Sequence, residues 1–342
     1  LQVDLNNRKY ISYDDAQNQK YFEHNYLGTD SIDKTKRTSI KNTIGIALQE
    51  GFNKWAKAGL TAFLSYEYRN FALTDTTNIP GQRIINNYKE SSLSIGGELS
   101  KKQGKLLHYN ILGELAIAGE DAGQFSVEGR GDLNLRLFGD TVRLDVNAFI
   151  KNQNPVFYFR HFQSKHYWWD NNDLSKIMRT RLEGKLSLNR WGTQLRAGVE
   201  NIKNYTYLAN ASIPVKDSEG NVTGFKNNAA VRQHSGNIQI FTAMLQQKLK
   251  VGIFHLDGEV AYQKSSEQDI LPLPELSAYG NLYMKFGLAK KVLQIEMGAD
   301  VRYFSKYYAP DYSPVIGQFY NQNPDDKIEI CLLYTSDAAD ER

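Results

Sequence analysis

Hydrophobic and polar residues alternate along most of the chain with a period of two. Between Phe125 and Leu137 every second residue is apolar or glycine, and the residues between them are polar or charged. This period puts the two sets on opposite faces of a β-strand. Gly139-Asp140 separates this run from a second alternating run. The pattern therefore predicts a β-hairpin with a two-residue turn at Gly139 and Asp140.

The same alternation predicts twelve strands. They lie near residues 41–51, 57–73, 89–101, 105–119, 123–138, 141–153, 176–190, 193–209, 236–249, 251–264, 278–289 and 292–307. Short links between them alternate with longer ones, and only the short link at 120–122 breaks the longer set. Short turns at one end and long loops at the other are typical of outer-membrane barrels, in which the short turns are periplasmic.

Strand length and number favour a membrane protein over a large soluble β protein, which is the alternative. Most of these strands exceed the roughly 3–10 residues usual in globular sheets. A barrel of this size is too wide for one apolar face to fill, because side chains just pack the interior at about eight strands. The apolar face must then contact lipid. We predict an all-β fold: a transmembrane, antiparallel, up-and-down β-barrel, with about 12 strands present in an incomplete chain.

Composition removes two other classes of protein. The mean hydropathy is −0.52, and no stretch approaches the ~18 apolar residues of a membrane-spanning helix. A helical membrane protein is therefore excluded. The net charge of +3 is nearly balanced, and no run of Lys and Arg forms a stripe, so nucleic acid is not an expected partner.

The alternation also divides the chain. Residues 41–307 hold the predicted strands, residues 1–40 are expected to form an extracellular loop after a missing strand, and residues 308–330 a second extracellular loop. Leu1 begins no signal peptide. Residues 331–342 break the alternation and resemble translated read-through of a sequencing adapter. We therefore expect a fragment with a non-native tail.

Aromatic residues near the short turns are candidates for a girdle at the periplasmic interface, where amphipathic rings favour the headgroup region. These residues are Phe52, Trp55, Phe138, Trp191 and Phe254. The alternative is that aromatic residues are simply common in strands.

Three segments carry a resemblance to a known family. The most specific runs from Tyr303 to Pro314 and continues through Gly317-Gln318-Phe319-Tyr320, and the others are Asn152–Pro155 and His161–Trp168. Together they resemble the porin family of Bacteroidota. The resemblance covers most of residues 1–330. It implies an outer-membrane porin made as a longer chain with a cleaved signal peptide, and it transfers no functional residues.

The polar sides of the strands carry the candidate lumen charges. The basic residues are Arg130, Arg136, Arg143, Arg179, Arg181, Lys185 and Arg196. The acidic residues are Glu128, Asp132, Asp145, Glu183 and Glu200. One interpretation is a basic wall that selects anionic or polyhydroxylated solutes. The other, which the interleaved acids favour, is a ladder of cross-strand ion pairs that stiffens the barrel.

The predicted link 154–175 is unusually aromatic. Its candidate residues are Phe157, Phe159, His161, His166, Trp168 and Trp169. The link either folds into the pore as a constriction or packs on itself as an extracellular cap, and we favour the cap because aromatic clusters often pack a loop on itself. No third ligand is spaced to join the two histidines, so no metal site is expected.

These features predict a porin of the bacterial outer membrane that gives passive diffusion of small hydrophilic solutes through a charged lumen. The expected partners are outer-membrane lipid, lipopolysaccharide and those solutes; no cofactor is expected, and a homo-oligomer is left open. An enzyme is not expected, because neither His108 nor His255 lies in a recognisable catalytic frame. A surface adhesin or receptor barrel, or part of a larger outer-membrane transporter, is the alternative.

Overall fold

The computed structural model describes residues 1–11, 20–27, 32–51, 57–75, 84–137, 139–288, 292–322 and 330–337. In chain order the elements are β1 Gln2–Ile11, β2 Ile32–Leu48, β3 Gly59–Asp75, β4 Ile84–Lys101, β5 Leu107–Gly119, β6 Phe125–Leu137, β7 Asp140–Gln153, α1 Phe157–Arg160, β8 His161–Gln163, β9 Trp168–Asp170, β10 Ile177–Leu188, β11 Thr193–Asn210, β12 Ile213–Lys216, β13 Val222–Lys226, β14 Ala229–Val251, β15 Phe254–Ser265, β16 Leu276–Leu288, β17 Leu293–Tyr307, β18 Asp311–Ser313, β19 Gln318–Tyr320 and β20 Ile330–Asp337.

Fourteen of these strands form one antiparallel sheet in up-and-down order. The sheet omits β8, β9, β12, β13, β18 and β19, which form three two-stranded hairpins in the links. All twelve predicted strands are present, so the predicted all-β, antiparallel, up-and-down fold is confirmed. Within the described residues no pairing joins β1 to β20, so the sheet is open there.

The sheet begins earlier than the sequence predicts. Residues 1–40 were expected to form a loop, but β1 lies within them and pairs with β2 from Gln2↔Lys41 to Ile11↔Ile32. The alternation fails here because Lys34, Lys36 and Thr38 occupy positions where other strands carry apolar residues. Backbone pairing does not need an apolar face, so strand ends with two polar sides escape a search for alternation.

Three further strands follow the twelve predicted ones at the end of the chain. Strand β20 covers part of the predicted tail and pairs with β17, from Ala299↔Asp337 to Tyr307↔Ile330. Within the expected loop 308–330, strands β18 and β19 form a hairpin. The segment pairs with β17 through its backbone, although its sequence does not alternate between apolar and polar residues.

Most links keep the predicted alternation of short and long, but the link between β2 and β3 (residues 49–58) is longer than the link between β3 and β4 (residues 76–83). The hairpin between β6 and β7 is confirmed, but Asp140 pairs with Leu137 and so belongs to β7 rather than to the turn. Of the predicted girdle, Trp191 and Phe254 are exposed beside short links, with 56% and 51% of their surface accessible. Phe52, Trp55 and Phe138 lie outside the described residues.

One face of the sheet exposes large apolar side chains. A single row of cross-strand neighbours runs from β3 to β14, through Leu60, Leu99, Ile111, Gly129, Ala148, Leu182, Val199 and Phe241. The six large members of this row are between 38% and 54% exposed. Continuous exposure on this scale marks a surface that contacts something other than water. We call it the apolar face and the opposite side the polar face. In the described residues no helix is long and apolar enough to cross a membrane.

Candidate functional site

The strand register brings the predicted lumen charges onto the polar face. Lys185 lies between Asp145 of β7 and Arg196 of β11. Arg181 lies between Phe149 and Glu200 in the same way. Because successive side chains alternate between faces, all twelve candidates point away from the row of Leu182 and Val199. They form one wall across β6, β7, β10 and β11.

Ion pairs run across this wall, and most of them join neighbouring strands. Asp145 contacts two cations: its Oδ1 lies 2.8 Å from Arg143 Nε and its Oδ2 lies 3.1 Å from Lys185 Nζ. Arg143 also lies 3.8 Å from Asp132. Lys151 Nζ, which the sequence prediction missed, lies 2.6 Å from Glu128 Oε1.

The same pattern continues on β10 and β11. Arg179 Nε donates to Glu200 Oε1 over 2.8 Å, and Arg181 lies 3.7 Å from the other oxygen of Glu200. Glu183 pairs with Arg181 and lies 3.9 Å from Arg196. Both carboxylates therefore bridge two cations. The ladder interpretation accounts for these contacts.

Two of the seven predicted basic residues stand apart. Arg130 and Arg136 are exposed on β6, and neither forms an ion pair with any residue that the structure describes. No ion pair within the described part of the chain offsets their charge, so they remain candidates for the basic patch. The five others belong to the ladder.

His108 and His255 lie on the polar face, and both contact neighbouring residues. His108 Nδ1 lies 2.9 Å from Asp132 Oδ2, and its Nε2 lies 3.0 Å from the carbonyl oxygen of Gly104. His255 stacks on Tyr283 with ring centroids 4.9 Å apart. Among the described residues no three His, Cys, Asp or Glu side chains could together hold a metal ion.

The link 154–175, which we call the mouth loop, folds onto the polar face of distant strands. It contains α1 and the β8–β9 hairpin. Phe157 stacks on Phe71 of β3. Tyr88 of β4 packs edge-on against the Phe157 ring, with the two ring centroids 5.5 Å apart. Phe71 pairs with Arg37 on β2, in line with Glu67 and Arg69 of the polar face.

Polar contacts fix the mouth loop to the same strands. Arg160 donates to Glu90 Oε1 over 2.8 Å, and both side chains are largely buried. Gln163 Nε2 donates to the Tyr88 hydroxyl over 2.9 Å. The backbone N–H of Lys165 donates to Asp33 Oδ2 over 3.2 Å.

The other side of the mouth loop contacts residues of two other long links, one between β1 and β2 and one between β11 and β14. His166 stacks on Phe22 with centroids 3.9 Å apart, and its Nδ1 lies 2.9 Å from the carbonyl oxygen of His24. The Tyr167 hydroxyl hydrogen-bonds with Asn227. The resulting apolar cluster contains Phe22, Phe162, Tyr167, Trp169, Leu208, Ala229, Val315, Ile316 and Tyr320. Burial raises the pKa of the Tyr167 phenol.

These contacts add partners on the strands to a loop that was predicted to pack on itself. The mouth loop packs against the polar face of β2, β3 and β4, not only on itself. His161 lies 2.6 Å from Asp170 and stacks on Tyr88. Phe159 packs on the apolar cluster, and the ring centroids of Trp168 and Tyr26 are 5.6 Å apart.

Sequence reasoning missed the partners of the mouth loop on the strands. Phe71 and Leu73 follow Glu67 and Arg69 at polar-face positions of β3. Apolar residues in the wet register of a strand are a detectable signal that something covers that part of the face. Asp33 and Glu90 carry no such signal, because charged residues are ordinary on this face.

Solved structures with a similar fold include two receptors and a transporter. The chain is similar to the siderophore receptor PirA from Acinetobacter baumannii, with 9% identity, a TM-score of 0.60 and coverage of 98% of this chain and 52% of that chain. The chain is also similar to the ferric enterobactin receptor PfeA from Pseudomonas aeruginosa, in its Q482A variant with enterobactin. The identity is 12%, the TM-score is 0.57, and the match covers 97% of this chain and 50% of that chain. For the copper transporter OprC the identity is 13%, the TM-score is 0.55, and the match covers 89% of this chain and 50% of that chain.

The chain thus spans about half the length of these structures. At such low identity the likeness shows the fold alone. No curated protein sequence matches the chain. One family model, described as "Putative porin", matches residues 2–335.

Proposed function

Because the chain belongs to the family described as "Putative porin", we propose that it is a channel of the bacterial outer membrane for passive diffusion of small hydrophilic solutes. The observation that carries the proposal is the mouth loop seated on a polar face that is lined with ion pairs. A charged face needs water, and a loop folded onto it narrows the path through that water.

The two faces support this placement. Large side chains such as Leu182 and Val199 are half exposed on the apolar face, which suits contact with hydrocarbon. Charged side chains lie on the opposite face, as expected of a water-filled lumen. No catalytic step is part of the proposal.

The charges indicate modest selectivity. Bridging carboxylates such as Glu200 and Asp145 offset most of the basic wall. Arg130 and Arg136 add uncompensated positive charge. We therefore expect a weak preference for anions among solutes small enough to pass the mouth loop.

Planar-bilayer conductance tests the role of the mouth loop. In one variant, a short Gly-Ser linker replaces residues 158–170. The matched control shortens the β12–β13 hairpin by replacing residues 215–223, whose hydrogen bonds stay largely within that hairpin. Removing the mouth loop should raise single-channel conductance severalfold, while the control should conduct like the unmodified protein.

Equal conductance of all three proteins would contradict a constriction formed by the mouth loop. Absence of conductance from all three, in correctly inserted protein, would contradict a passive channel. Liposome swelling with uncharged sugars of increasing size gives an independent measure, and the size limit should rise only in the mouth-loop variant.

A surface receptor, an adhesin, or part of a larger transporter is the second candidate. It is favoured by the cluster around Tyr167, which occupies the mouth with segments from several links. Such a protein would stay closed in bilayers and would bind a specific ligand. A tight ligand combined with no conductance would select this candidate.

A further inference from the structure

A groove crosses the apolar face from β5 to β15. Its volume is about 1100 Å³, and its lining includes Gly129, Ala148, Leu182, Val199 and Phe241. The glycine and alanine lie in the same cross-strand row as the three larger residues. The small side chains make the floor and the larger ones the walls. The volume exceeds the roughly 300–1,000 Å³ of sites that bury a drug-sized ligand.

A polar rim lies at the end of the groove toward the long links. Thr180, Asn201 and Gln239 are cross-strand neighbours on the apolar face, one row beyond Leu182. Ser266 is held against Gln239 by two hydrogen bonds: Gln239 N donates to Ser266 Oγ over 3.0 Å, and Ser266 N donates to Gln239 O over 2.8 Å. Amide and hydroxyl groups thus border an apolar floor.

Lys264 adds a positive charge to this rim. It pairs with Phe241 across β14 and β15, which places it on the apolar face. It is exposed and forms no ion pair with the residues that the structure describes. The other charged lining residues, Arg181 and Glu200, carry their charges on the polar face, 3.7 Å apart. An ammonium group beside hydrocarbon reaches for the headgroup level, where an anion stabilises it.

We propose that this groove binds one phosphorylated, acylated glycolipid of the outer leaflet. The acyl chain lies over Gly129 and Ala148, the phosphate contacts Lys264, and the sugar hydroxyls hydrogen-bond with Thr180 and Asn201. The occupant is a lipid because the groove is apolar along its floor. It is anionic because the groove carries one uncompensated cation. The inference rests on the proposed outer-membrane placement and not on solute passage.

The test uses lipid A as the probe. The protein is reconstituted in phosphatidylcholine bilayers that contain lipid A, extracted in mild detergent, and weighed by native mass spectrometry. Lys264→Glu and Lys264→Gln remove the cation, and Ala148→Phe fills the floor. Lys89→Glu is the control, because Lys89 is exposed on the same face of β4, outside the groove.

The unmodified protein and Lys89→Glu should each retain one lipid A. Occupancy should fall about tenfold or more in the two Lys264 variants and in Ala148→Phe, which corresponds to about 1.4 kcal/mol of lost affinity. Equal retention in any of these three variants overturns the proposal. Equal retention of dephosphorylated lipid A, or full displacement by inorganic phosphate, overturns the choice of a phosphorylated lipid.

Conductance separates this result from the channel proposal. Lys264 is not on the polar face, so Lys264→Glu should conduct like the unmodified protein. A protein that retains lipid A but does not conduct contradicts the channel alone. A protein that conducts but retains no lipid A contradicts the lipid site alone.

Discussion

Phe157 of the mouth loop stacks on Phe71 of β3 with ring centroids 3.7 Å apart and ring planes 7° from parallel. The mouth loop leaves the sheet at β7, so this pair joins positions four strands apart in the sheet order. Phe71 and Phe157 are only 4% and 6% exposed. The contact therefore holds the mouth loop across the polar face.

Truncating this pair should release the mouth loop. Phe71→Ala removes the stacking, worth about 0.5–1.5 kcal/mol beyond area burial, as well as the buried apolar contact of the ring. We expect higher and noisier conductance and faster proteolysis within residues 154–175. Phe225→Ala is the control, because Phe225 is 42% exposed in the β12–β13 hairpin. Identical conductance and proteolysis in both variants would rule out this anchoring role.

Reversing the unpaired arginines should change ion selectivity. Arg130→Glu/Arg136→Glu replaces two uncompensated cations with anions on the polar face. The reversal potential in a salt gradient should shift toward cation preference, and more so at low salt because screening is weaker there. Planar-bilayer recordings at two salt concentrations measure both effects. An unchanged reversal potential would contradict a basic patch at Arg130 and Arg136.

The same reversal within the ladder should act on stability as well. In the unmodified protein Glu200 and Glu183 each bridge two cations. Arg179→Glu/Arg181→Glu places new carboxylates beside them. Each cross-strand pair contributes roughly 0.2–1 kcal/mol, and like charges directly opposite are destabilising. The midpoint of thermal unfolding should fall in this variant and change little in Arg130→Glu/Arg136→Glu. Equal midpoints would count against the ladder.

The sheet was predictable because one apolar face and one polar face impose a strict period of two on its strands. Runs such as Leu133, Leu135 and Leu137 mark a strand wherever one face is dry. At the start of β2 both faces are polar, with Lys34 and Lys36 on one face and Asp33 and Arg37 on the other, so the pattern disappears although the backbone pairing continues. The side-chain pattern therefore predicts that a strand is present. It does not predict where the strand ends, because that depends on backbone pairing with a neighbouring strand.

The candidate site was predictable in its members but not in its connections. The charges of β6, β7, β10 and β11 share a face because the register is regular. The partners of the mouth loop come from remote segments, as with His166 on Phe22 or Lys165 on Asp33. No spacing in the chain relates these residues, since their contact depends on how a long link folds over the strands.

Neutralising Glu90 should loosen the mouth loop through its polar anchor. Glu90 is 7% exposed and accepts from Arg160 while lying 3.2 Å from Arg69. Glu90→Gln leaves two largely buried guanidinium groups with one less carboxylate, and breaking such a pair costs about 3–5 kcal/mol. Hydrogen exchange should speed up in residues 155–170. Glu120→Gln is the control, because Glu120 also lies 3.4 Å from Arg160 but its side chain is 52% exposed. Similar exchange in both variants would refute the anchor.

Alkaline pH should open the mouth. Burial raises the pKa of Tyr167 above its ordinary value of 10.0, and burial also raises the pKa of Tyr158 and Tyr320 beside it. A raised pKa in the folded state means that the buried phenol stabilises the packed loop below pH 10.0, and this stabilisation is lost as the pH rises toward the folded-state pKa. Conductance should therefore increase above about pH 10.

Tyr167→Phe separates ionisation from packing in this response. The variant loses the hydrogen bond to Asn227 but cannot ionise at this position. Its conductance should be slightly higher at pH 8 and should rise less steeply between pH 9 and pH 11, with Tyr158 and Tyr320 supplying the remaining response. Tyr21→Phe, at an exposed ring of the same region, should keep the full pH dependence. A slope that is unchanged in Tyr167→Phe would mean that a different group opens the mouth.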